Sequence, residues 1–206
     1  MKVYLVNSSP REKSCTYTAL CEVEKGLNEF GIDTEFFWLG NKPIADCIDC
    51  GTCFRTKAGC VFQDPVNAFA ELAKDADGFV FGSPVYYASC SGALCSFLDR
   101  LFFSNGVALS GKPAAAVVSC RRSGGSAAID RINKYFTINR MPIASSSYWN
   151  IVHGNTPDEV RQDLEGMQIM RNLGRSLGFM VKAYAMAKTE GLEQTNETGA
   201  HTNFIR

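Results

Sequence analysis

The clearest candidate for chemistry is a group of four closely spaced cysteines: Cys47, Cys50, Cys53 and Cys60. Three cysteines with two residues between neighbours, followed by a fourth after a glycine-containing spacer, can supply one thiolate to each iron of a [4Fe–4S] cluster. Zinc is the main chemical alternative, although zinc sites usually combine C-x2-C pairs that are well separated in sequence. A loop whose thiols bind nothing is the third alternative. The spacing favours a cluster and leaves the other two outcomes open.

A second candidate site follows an apolar run near the start of the chain. Residues 3–6 are apolar and typical of a strand, residues 7–14 are mostly small or polar, and a helical pattern opens after Thr16. A loop that leads into a helix N-terminus can bind an anion, because backbone N–H groups and the helix dipole favour negative charge. Arg11 adds a cation, and hydroxyls in place of glycines suggest a terminal phosphate. An ordinary strand–helix turn with a Ser or Thr cap is the alternative.

Two further loops carry aromatic residues and glycines. Residues 84–87 include two tyrosines, on which a flat heteroaromatic ring could stack. Residues 121–125 contain two arginines and two glycines, so the backbone can approach a ring edge and set the charge near it. Surface packing of the tyrosines and a solvated arginine loop are the alternatives. Together with the candidate phosphate loop, these segments favour a phosphorylated flat cofactor.

The elements that would position these loops alternate between short strands and helices. Apolar runs predict five strands, at residues 3–6, 34–39, 78–82, 114–119 and 141–144. Alternation with helices predicts an α/β fold, a doubly wound five-stranded parallel sheet in three layers. Ligands bind outside the carboxyl ends of such strands. The loops after the first, third and fourth strands should therefore converge at one edge.

The rest of the chain is divided by composition. A cysteine-rich loop at residues 40–64 follows the second strand, and the last helix is predicted to run from Pro157 to about Ala187. We expect one domain over residues 1–187 and a polar tail over residues 188–206.

Charge and the beginning of the chain exclude several classes of protein. Lys plus Arg and Asp plus Glu both number 21, so there is no basic surplus to bind nucleic acid or an anionic membrane. No secretory signal or long apolar segment is present in the sequence, so a cytoplasmic location is expected. The five cysteines outside the group are expected to be mostly buried thiols. Cys15 should lie at the N-terminus of the first helix, where the pKa of a thiol falls.

Five segments carry a family resemblance that spans roughly residues 2–185: SSPR at 8–11, GSPVY at 82–86, FLDR at 97–100, RRSGG at 121–125 and EGMQ at 165–168. In this order they resemble the flavodoxin-like NADPH-dependent FMN reductases. The resemblance implies three groups of FMN-binding residues. The phosphate would be bound by Ser9, Arg11, Ser14, Cys15 and Thr16. The isoalloxazine ring would be lined by Pro84, Val85, Tyr86 and Tyr87, and its far side would be closed by Ser119, Arg121, Gly124 and Gly125.

The cysteine motif is similar to that of the iron–sulfur flavoproteins, a subgroup of these reductases that carries FMN and a [4Fe–4S] cluster in each subunit. Two features depart from the subgroup pattern. The last spacer contains Arg55 and Lys57, and Gln63 with Asp64 stands where relatives often have two acids. His153 is expected to make hydrogen bonds within its loop rather than to contact flavin or substrate.

These features predict an FMN-dependent oxidoreductase that moves electrons between NAD(P)H or a reduced carrier and an acceptor through a [4Fe–4S] cluster. No catalytic side chain is required, because the flavin carries the redox chemistry. A cluster-free NAD(P)H:quinone or FMN reductase is the first alternative. A non-catalytic electron carrier or zinc-binding sensor is the second. The expected partners are a small-molecule or protein redox partner and further copies of the chain, as a homodimer or homotetramer.

Overall fold

A twisted parallel sheet forms the centre of the protein. The computed structural model describes residues 1–200 and 202, so the predicted tail falls partly outside the described residues. The sheet contains five parallel strands, and their order across it is β2-β1-β3-β5-β6. A short strand, β4, pairs antiparallel with the end of β3. The strands are β1 (Lys2–Asn7), β2 (Asp33–Trp38), β3 (Gly78–Tyr86), β4 (Ser89–Cys90), β5 (Ala114–Cys120) and β6 (Ile151–His153).

Helices cover both faces of this sheet. One face packs against α3, α4 and α5 around Phe69, Phe81 and Phe97, and the other packs against α1 and α7 around Leu20 and Leu173. No helix in the described part of the chain is long and apolar enough to cross a membrane. The helices are α1 (Cys15–Asn28), α2 (Thr52–Thr56), α3 (Pro65–Lys74), α4 (Gly92–Asn105), α5 (Gly125–Ile138), α6 (Pro157–Gln162) and α7 (Leu164–Thr189).

The fold is the predicted flavodoxin-like three-layer α/β arrangement, but its last strand is not where the sequence placed it. Residues 141–144 make only one isolated bridge to the sheet, between Ala114 and Ile143. The fifth parallel strand is β6, which pairs with residues 118–120 of β5. Pro142 has no N–H to donate, which limits ladder formation there. The three-residue β6 lies between polar segments and gives too short an apolar signal to be recognised.

The predicted helix from Pro157 to about Ala187 is two helices. Asp163 interrupts it with φ −74° and ψ 77°, and its carboxylate accepts a hydrogen bond from the Gly166 N–H at 2.9 Å. The first helix, α6, begins at Pro157, and its cap is Thr156. This break brings Asp163 to the cavity beside β6, which is described below.

Candidate functional site

The loops after β1, β3 and β5 converge at the carboxyl edge of the sheet, as predicted. The Ser8 hydroxyl donates to the Gly82 carbonyl at 2.9 Å, which joins the first loop to β3. The hydroxyls of Thr16 and Ser119 lie 2.9 Å apart, which joins α1 to the end of β5. A Cβ atom at Gly124 would lie 2.8 Å from the Ala88 Cα, so the second and third loops are in contact. All three loops therefore face one region.

The first loop is held open by residues that the sequence analysis did not single out. The Asn7 side chain donates to the Glu12 carbonyl at 2.7 Å and accepts from the Ser9 N–H at 3.0 Å. The Trp38 indole donates to the Ser9 carbonyl at 2.8 Å from the neighbouring strand. The Ser9 hydroxyl accepts from the Arg11 N–H at 3.3 Å. A polar residue that ends a strand and faces a turn is the signal that could have identified Asn7.

Ser14 has the feature that best fits a phosphate in this loop. It precedes α1 in an extended conformation, yet its side chain does not cap the helix. Its hydroxyl oxygen is buried and has no hydrogen-bond partner among the described residues. The first N–H groups of a helix also lack intrahelical acceptors. Unpaired donors at a helix N-terminus beside Arg11 suit a phosphate oxygen, so these residues fit the FMN phosphate.

Two serines at matched positions test this interpretation. Ser14 precedes α1 and Ser91 precedes α4, and both helices have 14 residues. We expect Ser14→Ala to weaken FMN binding about tenfold, the scale of one hydrogen bond to a charged group. The flavin-free protein should keep its stability, because the lost hydroxyl bonds nothing in the protein. The measurements are FMN titration by fluorescence quenching and urea unfolding.

Ser91→Ala is the control for that variant. The Ser91 hydroxyl accepts from the Leu94 N–H at 3.2 Å and therefore caps α4. Its removal should lower the free energy of unfolding by about 1 kcal/mol. An equal loss of stability in both variants, with unchanged FMN affinity in Ser14→Ala, would contradict the phosphate role.

The pKa of the Cys15 thiol is raised, and the prediction that it falls is wrong. Burial raises it more than the backbone hydrogen bond and the Arg11 charge lower it. Its Sγ lies 3.8 Å from the Gly154 carbonyl, so the side chain points towards the neighbouring loop. Any contact of Cys15 with a phosphate would come from its backbone N–H. Of the other four cysteines outside the group, Cys90 and Cys120 are buried, and Cys21 and Cys95 are partly buried.

The aromatic loop is a tight hairpin rather than an irregular loop. It joins β3 to β4, and Tyr87 and Ala88 at its tip have φ values of 48° and 60°. Positive φ at both central residues is typical of the turn that matches strand twist, and it is uncommon for residues other than glycine. The Tyr87 side chain is fully exposed and that of Tyr86 about half exposed. Pro84 and Val85 are partly buried below them, which leaves an aromatic surface free to contact a ring.

The third loop combines backbone room with positive charge. Ser119 is buried at the end of β5, whereas Arg121 is exposed. Gly124 has φ 86°, a value that favours glycine, and it precedes α5. Gly125 is buried against Ile151 of β6. The structure therefore brings the thirteen residues of the predicted FMN site to one edge of the sheet, with Arg11 and Arg121 at its exposed rim.

A cavity of about 340 Å³ beside Gly124 and Gly125 was not predicted from the sequence. Tyr148 and Trp149 form one wall, with ring centroids 5.0 Å apart. His153 lies in the lining, and its Nδ1 is 3.4 Å from Asp163 Oδ2. The same carboxylate oxygen accepts from the His153 N–H at 2.8 Å. The expectation of hydrogen bonds within its own loop is not met, because His153 lies in β6 and its partner Asp163 directly precedes α7. His153 also lines a cavity that could receive a planar molecule.

The four grouped cysteines line one small apolar cavity of about 20 Å³. Cys47 and Cys50 are exposed, and Cys53 and Cys60 are partly buried. A hydrogen bond with the Thr52 side chain lowers the pKa of the Cys50 thiol. Within residues 1–200 and 202, no three His, Cys, Asp or Glu side chains are grouped closely enough to hold a single metal ion. Four soft thiol donors around one cavity fit the donor set of an iron–sulfur cluster.

Arg100, from the FLDR segment, lines the cysteine cavity. Its side chain is almost fully buried, with an exposed fraction of 1%, and it pairs with Asp64. Burial alone would lower the pKa of the Arg100 guanidinium, but hydrogen bonds to Asp64 and Cys60 outweigh burial and raise it. The guanidinium therefore stays charged beside the Cys60 sulfur.

Comparisons with known proteins identify the family of this chain. The model of the NADPH-dependent FMN reductase family matches residues 1–156. An iron–sulfur flavoprotein of Methanocaldococcus jannaschii is 32% identical over 190 residues, which cover 88% of this chain and 98% of that protein. An iron–sulfur flavoprotein of Archaeoglobus fulgidus is 30% identical over 204 residues, with coverages of 91% and 98%. The structure of an archaeal flavodoxin aligns with a TM-score of 0.57 at 18% identity, covering 88% of this chain and 99% of that one. The chain belongs to the flavodoxin-like NADPH-dependent FMN reductase family, in its iron–sulfur flavoprotein subgroup.

Proposed function

We propose that this flavin-dependent oxidoreductase moves electrons between NAD(P)H or a reduced carrier and an acceptor through a [4Fe–4S] cluster bound by Cys47, Cys50, Cys53 and Cys60. When bound, FMN supplies two-electron chemistry and the cluster supplies one-electron transfer. The observation that carries the proposal is the convergence of all four thiols on one cavity against α4.

Helix α4 connects the two candidate sites within one subunit. It begins after Ser91, directly behind the aromatic hairpin, and Arg100 on the same helix lines the cysteine cavity. Arg100 is nine residue steps beyond Ser91, which corresponds to about 14 Å along the helix axis. This rigid connection supports a redox role for the cysteine loop, because it keeps the loop at a fixed separation from the flavin site.

We infer that the chain's own residues orient the flavin and shield it. With FMN bound, the hydroxyls of Ser9 and Ser14 and the N–H groups of Cys15 and Thr16 would donate to the phosphate, and the Arg11 guanidinium would balance its charge. Residues 84–87 would line the ring and limit its contact with water. Ser119, Arg121, Gly124 and Gly125 would close the far side of the ring, where the Arg121 cation would favour negative charge.

The cavity lined by Tyr148, Trp149 and His153 is a suitable binding site for the small-molecule redox partner. It adjoins Gly124 and Gly125, so a planar molecule stacked on the aromatic wall would lie beside the proposed ring site. Asp163 fixes the His153 backbone and faces its imidazole. His153 is thereby held where its imidazole can form a hydrogen bond with such a molecule.

Composition of the purified protein tests the proposal directly. Protein prepared without oxygen should contain one FMN and about four irons and four sulfides per subunit. FMN without iron would favour the first alternative, a cluster-free NAD(P)H:quinone or FMN reductase. Zinc in place of iron, without steady NAD(P)H turnover, would favour the second alternative, a non-catalytic carrier or sensor.

Three further points stay predictions. Assembly as a homodimer or homotetramer would cover the exposed aromatic side chains of Tyr87, Tyr148 and Trp149. NADPH as the donor follows from the family name and from no residue of this chain. The cytoplasmic location given in the sequence analysis stays an expectation.

A further inference from the structure

Arg100 is the largest of the fully buried side chains in the part of the chain that the structure describes. A buried guanidinium is costly unless its N–H groups and its charge are matched. Here Nη1 donates to Asp64 Oδ2 at 2.5 Å and to the Ala45 carbonyl at 3.1 Å, and Nη2 donates to Asp64 Oδ1 at 3.0 Å. The remaining nitrogen, Nε, donates to Cys60 Sγ at 3.2 Å. The guanidinium also lies 4.8 Å from the centre of the Phe62 ring.

Every one of these partners belongs to the cysteine-rich loop, residues 40–64. Ala45 lies just before the first cysteine of the group, and Cys60, Phe62 and Asp64 lie at its other end. Asp64 also caps α3 by accepting from the Val66 N–H at 3.1 Å. One side chain from the core helix α4 thus connects both ends of the loop to the fold, in a planar geometry that lysine cannot reproduce.

Cys60 is held more firmly than the first two cysteines of the group. The Asn67 side chain accepts from the Cys60 N–H at 2.9 Å and donates to the Cys60 carbonyl at 2.8 Å. With the bond from Arg100 Nε to its sulfur, Cys60 is fixed at three atoms. Cys47 and Cys50, by contrast, are exposed. The sulfur of Cys60 therefore has a position that the core determines.

We propose that Arg100 is a positioning residue for the cysteine centre: it fixes the Cys60 sulfur with an N–H···S hydrogen bond and thereby sets the reduction potential of the cluster. Hydrogen bonds to ligand sulfurs are among the factors that determine the potential of such clusters. A hydrogen-bond donor to a thiolate ligand withdraws electron density from the sulfur. It therefore stabilises the reduced cluster, which carries more negative charge, and raises the midpoint potential. This inference rests on the proposed function, because it requires that a cluster is bound.

Arg100→Lys tests the inference, with the potential of the bound cluster as the readout. Lysine keeps the positive charge near Asp64 but has no N–H at the position of Nε. We expect the cluster midpoint potential to shift to more negative values and the flavin midpoint to stay unchanged. Amide hydrogen exchange in residues 40–64 should also become about tenfold faster. Arg131→Lys is the matched control, since Arg131 lies exposed on α5 and contacts Tyr135.

A double variant keeps the test decisive if Arg100→Lys does not fold. Arg100→Gln with Asp64→Asn removes both charges together, so net charge is unchanged, and asparagine still caps α3. A negative midpoint shift in this variant supports the inference as well. A cluster midpoint equal to that of the unmodified protein, in whichever variant folds, would overturn it. Unmodified protein without iron would refute the proposed function and this inference with it, before any variant is compared.

Discussion

Asp64→Asn is expected to lower the free energy of unfolding by about 3 kcal/mol, the scale of breaking a buried ion pair from one side. Asp64 is the only carboxylate that contacts the buried Arg100 guanidinium within the described residues. Asparagine can still accept from the Val66 N–H and cap α3. The lost stability therefore reports the missing charge of Asp64 and not a missing helix cap. Urea unfolding followed by circular dichroism measures the effect.

Asp158→Asn is the matched control for this prediction. Asp158 forms an ion pair with Arg161 at 2.5 Å, but both side chains are largely exposed. Exposed pairs contribute between zero and about 1 kcal/mol, so this variant should unfold close to the unmodified protein. Similar losses in the two variants would mean that Asp64 acts as an ordinary surface carboxylate and does not compensate Arg100.

The importance of Arg100 shows where sequence reasoning stops. The FLDR segment carries part of the family resemblance. Its sequence does not show whether the arginine of this helix faces solvent or the core. Only the structure shows that residue 100 faces inward and that Ala45, Cys60 and Asp64 all meet it. These partners are 36 to 55 residues away in the chain. Periodicity within one helix cannot reveal which distant loop covers its buried face.

The sheet could be predicted because its strands have strong local signals. Residues 78–82 of β3 and residues 114–118 of β5 are continuous apolar runs, as expected for central parallel strands. β6 contains only Ile151, Val152 and His153, and its pairing depends on the neighbouring β5. The apolar segment around Ile143 has the composition of the fifth strand but makes only one isolated bridge to the sheet. Apolar composition alone does not specify which segment forms the backbone hydrogen bonds of the sheet. Edge elements of this length are defined by tertiary contacts.

The candidate flavin site was predictable for the same reason that the sheet was. Once parallel strands are assigned, their carboxyl ends must lie together, and the loops at residues 8–16, 83–91 and 119–126 must meet. The cavity lined by Tyr148, Trp149 and Asp163 was not predictable. It depends on the break between α6 and α7, where one backbone conformation at Asp163 directs the carboxylate towards His153.

Removal of one cysteine of the group should abolish iron binding and leave the flavin in place. We expect Cys53→Ala to reduce iron and sulfide from about four each per subunit to less than one, because three thiolates cannot complete the ligand set of the cluster. FMN should stay bound, because none of the thirteen residues of the proposed FMN site belongs to the cysteine-rich loop. The measurement is iron, sulfide and released flavin in protein prepared without oxygen.

Cys21→Ala is the control for the effect of losing a thiol. Cys21 lies on α1, is partly buried, and is remote in sequence from the group. Its removal should leave iron, sulfide and FMN unchanged. Loss of FMN together with iron in Cys53→Ala would mean that the cysteine loop supports the whole fold rather than a separate centre. Retention of all the iron would mean that Cys53 is not a ligand. The proposed cluster would then need a different set of ligands.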